Sequence, residues 1–307
     1  MEEKLKHINI LVTLDENYIP YCNVMLSSLL NSNPGYQFTV YLLHTRIPEA
    51  ALAKTQQILY TSGKLVPIQV KDIGLENAPT TSRYPQEIYY RIFAARYLPE
   101  NVDRILYLDP DLIVNGPLCE LYDMPMEEYY FAAASHIGSF MQKINEIRLD
   151  MEEDSPYINS GVMLMNLKRL REEQDFGEVF EFIEKRKNTL ILPDQDIISS
   201  LYGTKIYALD SFRYNMTERL YRKHAAFEKE LNIDWVRKNS IIIHYCGRNK
   251  PWKGNYLGKL DIFYREAAAR LEKQLVELST VNYFSCQSFL SRQFEKMITI
   301  LTAVYEI

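Results

Sequence analysis

The sequence has no apolar run long enough to cross a bilayer, so no membrane-spanning segment is expected. Its four cysteines, Cys22, Cys119, Cys246 and Cys286, are far apart and form no C-x-x-C pair. That spacing argues against a disulfide framework or a thiolate zinc site and suits reduced cytoplasmic thiols. Positive charge is also in short supply, with 35 Lys and Arg against 40 Asp and Glu and a net charge of −5. A surface that grips a phosphate backbone needs a basic face, so nucleic acid is not an expected partner. No G-x-G-x-x-G follows the first strand-like run, which removes the signature of a nicotinamide dehydrogenase. Neither an internal repeat nor a low-complexity segment is visible. The opening Met1-Glu2-Glu3-Lys4-Leu5-Lys6 is charged where an export signal would be apolar, so the expected location is the cytoplasm.

What remains is ordinary globular composition, 47% hydrophobic and 24% charged, in a chain long enough for one large α/β domain with an appendage. Apolar runs at 8–14, 38–44 and 66–70 alternate with helical spacing at 20–32 and 48–60. That order predicts right-handed crossovers and a largely parallel sheet with helices on both faces. Further along, helix is expected over 82–98, capped by Ser82, and over 168–188. Strands are expected over 104–114, 131–136, 162–167, 206–209 and 240–244, with 138–156 a loop and helix that forms a lid or acceptor wall. Beyond Gly258, amphipathic spacing at 263–278 and 290–304 predicts two helices. We therefore expect domains at 1–257 and 258–307. The tail helices are expected to pack on the domain, on a second copy of the chain, or weakly on the inner face of the membrane. The last of them carries only Arg292 and Lys296 as cations, which favours packing over lipid.

The chemistry concentrates in Arg104-Ile105-Leu106-Tyr107-Leu108-Asp109-Pro110-Asp111, an apolar run that delivers two carboxylates one residue apart. Side chains two apart on extended backbone share a side, and Pro110 both holds Asp109 extended and stops the ladder. Both acids are thus expected to face one hard cation, Mn²⁺, Mg²⁺ or Ca²⁺. An isolated Asp-x-Asp also describes a solvated turn. Other polar groups gather at the ends of predicted elements. Asp15 follows the first strand and suits either a base or ribose contact or a helix cap. Arg91 offers a fork of donors to a diphosphate or sugar, or a structural ion pair. Asn159 and Ser160 suit hydroxyls or a turn, while Asp194 suits a cap that leaves Gln195 unexplained. His244 ends an Ile-rich strand, followed by Gly247, which permits close backbone approach, and by Lys250, a point charge for phosphate.

In order along the chain, Thr13-Leu14-Asp15-Glu16-Asn17-Tyr18, Tyr90-Arg91, Asp109-Pro110-Asp111, Asn159-Ser160-Gly161, Asp194-Gln195-Asp196 and His244-x-x-Gly247-x-x-Lys250-Pro251-Trp252 together resemble glycosyltransferase family eight. That family includes bacterial lipopolysaccharide galactosyl- and glucosyltransferases and is related to glycogenin. The resemblance runs from about Ile8 to Trp252. It implies a GT-A type α/β fold, a UDP-sugar donor (UDP-glucose or UDP-galactose), Mn²⁺ with Mg²⁺ as the alternative, and transfer with retention to a saccharide or glycolipid hydroxyl. It further implies that Asp109, Asp111 and His244 bind the metal and that Thr13, Asp15 and Asn17 hold the uridine. Gly247 and Lys250 then contact the diphosphate, with Arg91, Asn159, Asp194 and Gln195 around the donor sugar. The chain departs from the family at Ser135-His136, where relatives often carry an acid. A glycosidase would hold its two carboxylates across the substrate, not on one ion. The rival of another class is a non-catalytic UDP-sugar sensor or partner protein with the same pocket.

Overall fold

Successive residues of each central strand feed two different cores, and this puts the sheet in the middle of the molecule. The structure, a computed structural model, describes residues 6–278 apart from 61, 72, 73, 76, 77, 82–84 and 229. Strand β1 (Lys6–Thr13) sends Ile8, Ile10 and Val12 into one apolar cluster and Leu11 into the other, as the two-residue period of a doubly covered strand requires. Strands β2 (Tyr36–His44) and β3 (Gly63–Gln69) extend the sheet in parallel on one side of β1. Pro67 is tolerated within β3 because β3 is an edge. On the other side of β1 lies β4 (Arg104–Leu108), also parallel. The short β5 (Leu112–Val114) leaves this sheet. Strands β6 (Phe131–Ala134), β7 (Val162–Asn166) and β8 (Ile206–Leu209) complete the order β3-β2-β1-β4-β7-β6-β8. Only β7 runs antiparallel to its neighbours, so the sheet is mixed and mostly parallel. Strand β9 (Ile242–His244) pairs with β5 in a separate two-stranded sheet.

Helices Ile19–Ser32 and Glu49–Leu59 cover one face through Met25, Leu26, Leu29 and Leu59. Helices Phe176–Arg186 and Pro193–Tyr202 cover the other through Val179, Ile183, Ile197 and Ile198. The chain turns from β2 on one side of β1 to β4 on the other, so the carboxyl ends of β1 and β4 border a switch point where open α/β sheets bind ligands.

Three expectations need correction. The helix expected over 82–98 is two single turns, Glu87–Tyr90 and Ala94–Tyr97. Between them Ile92 and Phe93 donate to the carbonyls of Tyr89 and Tyr90, a tighter three-residue winding. Its cap Ser82 lies outside the described residues. The helix expected over 168–188 breaks into Leu167–Glu173 and Phe176–Arg186, because Asp175 caps the second piece through the Gly177 N–H at 2.7 Å. The run 104–114 is two strands, interrupted at Asp109-Pro110-Asp111.

The chain divides into two compact units, Met1–Ala267 and Ala268–Ile307. Residues 258–267 pack in the first, where Phe263 and Ala267 are buried and Arg237 pairs with Glu266 at 2.8 Å. In the second, 268–278 is helical. The expected helix over 290–304, Cys286 and residues 1–5 lie outside the described residues. Among those described, no helix is long and apolar enough to cross a membrane.

Candidate active site

Pro110 ends the β4 ladder, and the carbonyl of Gly161 takes the last bond, from the Asp109 N–H at 2.8 Å. Asp111 follows, immediately ahead of β5, and the β5–β9 register sets Leu112 opposite His244. The small sheet thereby brings an imidazole 133 residues away to within 3.1 Å of Asp111 Oδ1 and 3.6 Å of Asp109 Oδ2, measured from Nε2. Ligand atoms of the three residues all lie within 4.8 Å of one another. Two hard carboxylates and one imidazole form a donor set suited to a divalent cation. The space between them is kept open by Gly161, where an added Cβ would lie 2.2 Å from His244 Cε1 and 2.6 Å from Asp109 Oδ2. The residues present therefore fit a metal.

Charge around this centre is closely balanced. Lys250 Nζ pairs with Asp111 and also donates to the Tyr245 carbonyl at 2.8 Å. Burial works against the Asp111 charge, but Lys250 and His244 outweigh it and hold the carboxyl below its usual range. Gly247, at φ +89°, makes the left-handed turn that returns the chain toward Lys250. Arg91 lies on the other side, buried, 3.1 Å from Asp109 Oδ1 and 3.0 Å from Asp194 Oδ2. Its guanidinium stacks on the Tyr107 ring at 4.3 Å. Burial opposes the Arg91 charge, yet Asp109, Tyr107 and Asp194 hold it more firmly protonated than usual. Asp194 differs in sign: burial pushes its carboxyl up, and Arg91 and the Ser160 hydroxyl, donating at 2.6 Å, only partly offset this.

Asp194 is not a helix cap. Leu192 occupies the cap position of helix Pro193–Tyr202, and the aspartate side chain instead faces Arg91 and Ser160. Gln195, also buried, accepts from Asn159 Nδ2 at 2.8 Å. Asp15 accepts from the Tyr18 N–H at 3.2 Å as cap of the turn Glu16–Tyr18, and it also lines the cavity.

One cavity of about 670 Å³ is lined by Thr13, Asp15, Arg91, Asp109, Asp111, Asn159, Asp194, Gln195, His244, Gly247 and Lys250. Asn17 is the exception among the expected site residues. It is exposed, is not part of the lining, and reaches the site only through Asp15, to which its amide donates at 3.2 Å. Several site residues escaped the sequence reading. Tyr107 donates to Asp109 at 2.7 Å and shares a hydrogen bond with Thr13 at 3.2 Å. Its place two residues before Asp109, on the same strand face, was a usable signal. His136 lines the cavity and bonds the Asn215 carbonyl at 2.8 Å. For Asn215 itself, between the strands expected over 206–209 and 240–244, no local signal existed.

The chain is similar to known proteins along most of its length. The family profile "Glycosyl transferase family 8" matches residues 9–255. The chain is 24% identical over 242 residues to lipopolysaccharide 1,2-glucosyltransferase of Escherichia coli, covering 78% of this chain and 71% of the relative. It is 23% identical over 256 residues to lipopolysaccharide 1,3-galactosyltransferase of Salmonella typhimurium, covering 80% and 72%. Among solved structures, galactosyltransferase LgtC in complex with donor and acceptor sugar analogs superposes with a TM-score of 0.73 at 22% identity, covering 86% of this chain and 96% of that one.

Proposed function

This chain belongs to glycosyl transferase family 8, and on that premise we propose that it moves a hexose, glucose or galactose, from a UDP-sugar to an acceptor hydroxyl with retention of configuration. The acceptor is a saccharide or glycolipid of the cell envelope, as the names of the two lipopolysaccharide relatives suggest. We place the work in residues 1–257, in the cytoplasm; of the appendage 258–307, residues 258–267 pack in the same unit as the catalytic residues. One observation carries the reading: Asp109, Asp111 and His244, distant in sequence, converge beside Lys250 in a cavity that Arg91, Asp194 and Gln195 also line.

We assign Mn²⁺ to Asp109, Asp111 and His244, where it would supply Lewis-acid stabilisation of the departing diphosphate. Everything else is done by the chain. Breaking the anomeric C–O bond leaves positive charge on the sugar and negative charge on UDP. Lys250, beside Asp111, is a fixed cation at the side where the negative charge grows. Thr13 and Asp15, at the carboxyl end of β1, take the uridine. Arg91 neutralises Asp109 and Asp194 together and holds both carboxylates still. Because Arg91 and Ser160 both hold Oδ2 of Asp194, the acceptor hydroxyl attacks the anomeric carbon from the departing face, with no glycosyl-Asp194 intermediate. The leaving phosphate oxygen then takes the acceptor proton, and Gln195 lines the opposite side of the sugar.

The test is hydrolysis of UDP-glucose and UDP-galactose with and without Mn²⁺. Slow Mn²⁺-dependent release of UDP from one of the two supports the transferase. Tight Mn²⁺-dependent UDP binding with neither hydrolysis nor transfer to any saccharide would instead identify a UDP-sugar sensor.

A further inference from the structure

Asn215 is fully buried, yet it connects two parts of the pocket. Its Oδ1 lies 3.0 Å from His244 Nδ1, and its Nδ2 donates to Asn159 Oδ1 at 2.9 Å. Asn159 Nδ2 donates onward to Gln195 Oε1 at 2.8 Å. Carboxamides can be turned end for end, so the direction of such a chain must come from a group that has no choice. The Gly161 N–H is that group. A backbone amide only donates, and this one points at Asn159 at 3.3 Å, so the atom it meets is oxygen.

The rest follows by elimination. Asn215 must present its NH₂ to that oxygen and therefore its carbonyl to His244. A carbonyl facing Nδ1 requires Nδ1 to carry hydrogen. Nε2 is then the ring atom turned toward Asp109 and Asp111. In the other direction the Asn159 NH₂ must meet oxygen, which turns the Gln195 NH₂ away from Asn159. Asn215 is itself anchored at both backbone ends: its N–H donates to the Ser211 carbonyl at 3.1 Å, and its carbonyl accepts from His136 at 2.8 Å.

We propose that Asn215 is a positioning residue that fixes His244 with Nδ1 protonated and Nε2 toward the two aspartates. Through Asn159 it also sets which way the Gln195 carboxamide faces. One buried side chain thus aligns the cation side of the pocket with the sugar side. A partner on the second ring nitrogen is what a ligating histidine requires. The inference rests on the metal-site reading above, but its first readout needs neither metal nor turnover.

Two variants of the full chain separate the roles. Asn215→Asp keeps an acceptor for Nδ1–H and removes the donor to Asn159, whereas Asn215→Leu removes both. In metal-free protein labelled with ¹⁵N-histidine, the His244 signal is identified by its loss in His244→Gln. Nδ1 is expected protonated in the wild type and in Asn215→Asp, but not in Asn215→Leu. By calorimetry Asn215→Asp should keep Mn²⁺ affinity while UDP-sugar hydrolysis falls, and Asn215→Leu should lose affinity by about ten- to a hundredfold. A bare Nδ1 in the wild type overturns the proposal. So does loss of Mn²⁺ affinity and turnover in equal proportion in the Asp variant. A wild type that binds no Mn²⁺ would refute the metal reading, while the nitrogen spectrum still decides the tautomer. Should Asn215→Leu fail to fold, the wild-type and Asp spectra decide alone.

Discussion

Gly161→Ala is the substitution with the sharpest consequence. Gly161 is not one of the glycines with positive φ, so alanine meets no backbone objection there. Space is the objection. The new Cβ would lie 2.2 Å from His244 Cε1, 2.6 Å from Asp109 Oδ2 and 3.0 Å from His244 Nδ1. Ordinary contact begins near 3.4 Å, so the ring alone must retreat by about 1.2 Å, the difference between those two distances. Only 1% exposed and held by Asn215, it has nowhere easy to go. Metal–ligand distances tolerate about 0.2 Å, so the imidazole ceases to be a good ligand. Losses at such sites run to about ten- to a hundredfold in affinity, or roughly 1.4–2.7 kcal/mol. The fold should survive, because overpacking typically costs about 1–3 kcal/mol against a total of about 5–15. Calorimetric titration of Mn²⁺ in the presence of UDP measures the loss, with circular dichroism in chelator as the control for folding. Wild-type affinity in a folded Gly161→Ala protein would show that the three side chains do not share an ion.

Asp111→Asn should abolish Mn²⁺-dependent hydrolysis of the sugar donor while circular dichroism still reports the fold; full activity would remove Asp111 from the site. Arg91→Met leaves buried Asp194 and half-buried Asp109 without their common cation, and breaking a buried pair typically costs about 3–5 kcal/mol. Urea titration would register this, and an unchanged midpoint would mean that Arg91 is dispensable to the fold. His136 gives a pH dependence: burial, then the nearby His244, push its ring down to about 4. The unfolded chain titrates near 6.5, so it binds more protons than the folded chain between the two values, and stability falls as pH drops through that window. With His136 partly exposed, its share from pH 7 to pH 5 is about 1–2 kcal/mol in metal-free protein. His136→Gln should flatten that part of the curve, and an identical pH slope in both proteins would contradict the assignment.

The sheet was largely readable because its strands announce themselves as apolar runs of the right length. The break at Asp109-Pro110-Asp111 was readable from Pro110. The interruption at 91–93 was not, since Ile88, Ile92 and Ala95 keep helical spacing while the backbone bonds there tighten to three residues. Nor was the antiparallel insertion of β7, because Val162, Met163, Leu164 and Met165 are apolar on both faces and carry no mark of direction. Motif residues such as Asp194 and Gln195 stood out through position and order. Only the folded chain discloses Asn215, which acts on a partner 29 residues away, and the partners of Ser160 and Tyr107, 34 and 94 residues away.

The pairing of β5 with β9 has a consequence for biosynthesis. Both aspartates leave the ribosome more than a hundred residues ahead of the imidazole they share, and Lys250 follows later still. A nascent or prematurely terminated polypeptide therefore carries acids without their counterpart. With the roles proposed above for these residues, it is expected to stay silent toward nucleotide sugars until β9 and Lys250 have been translated and docked.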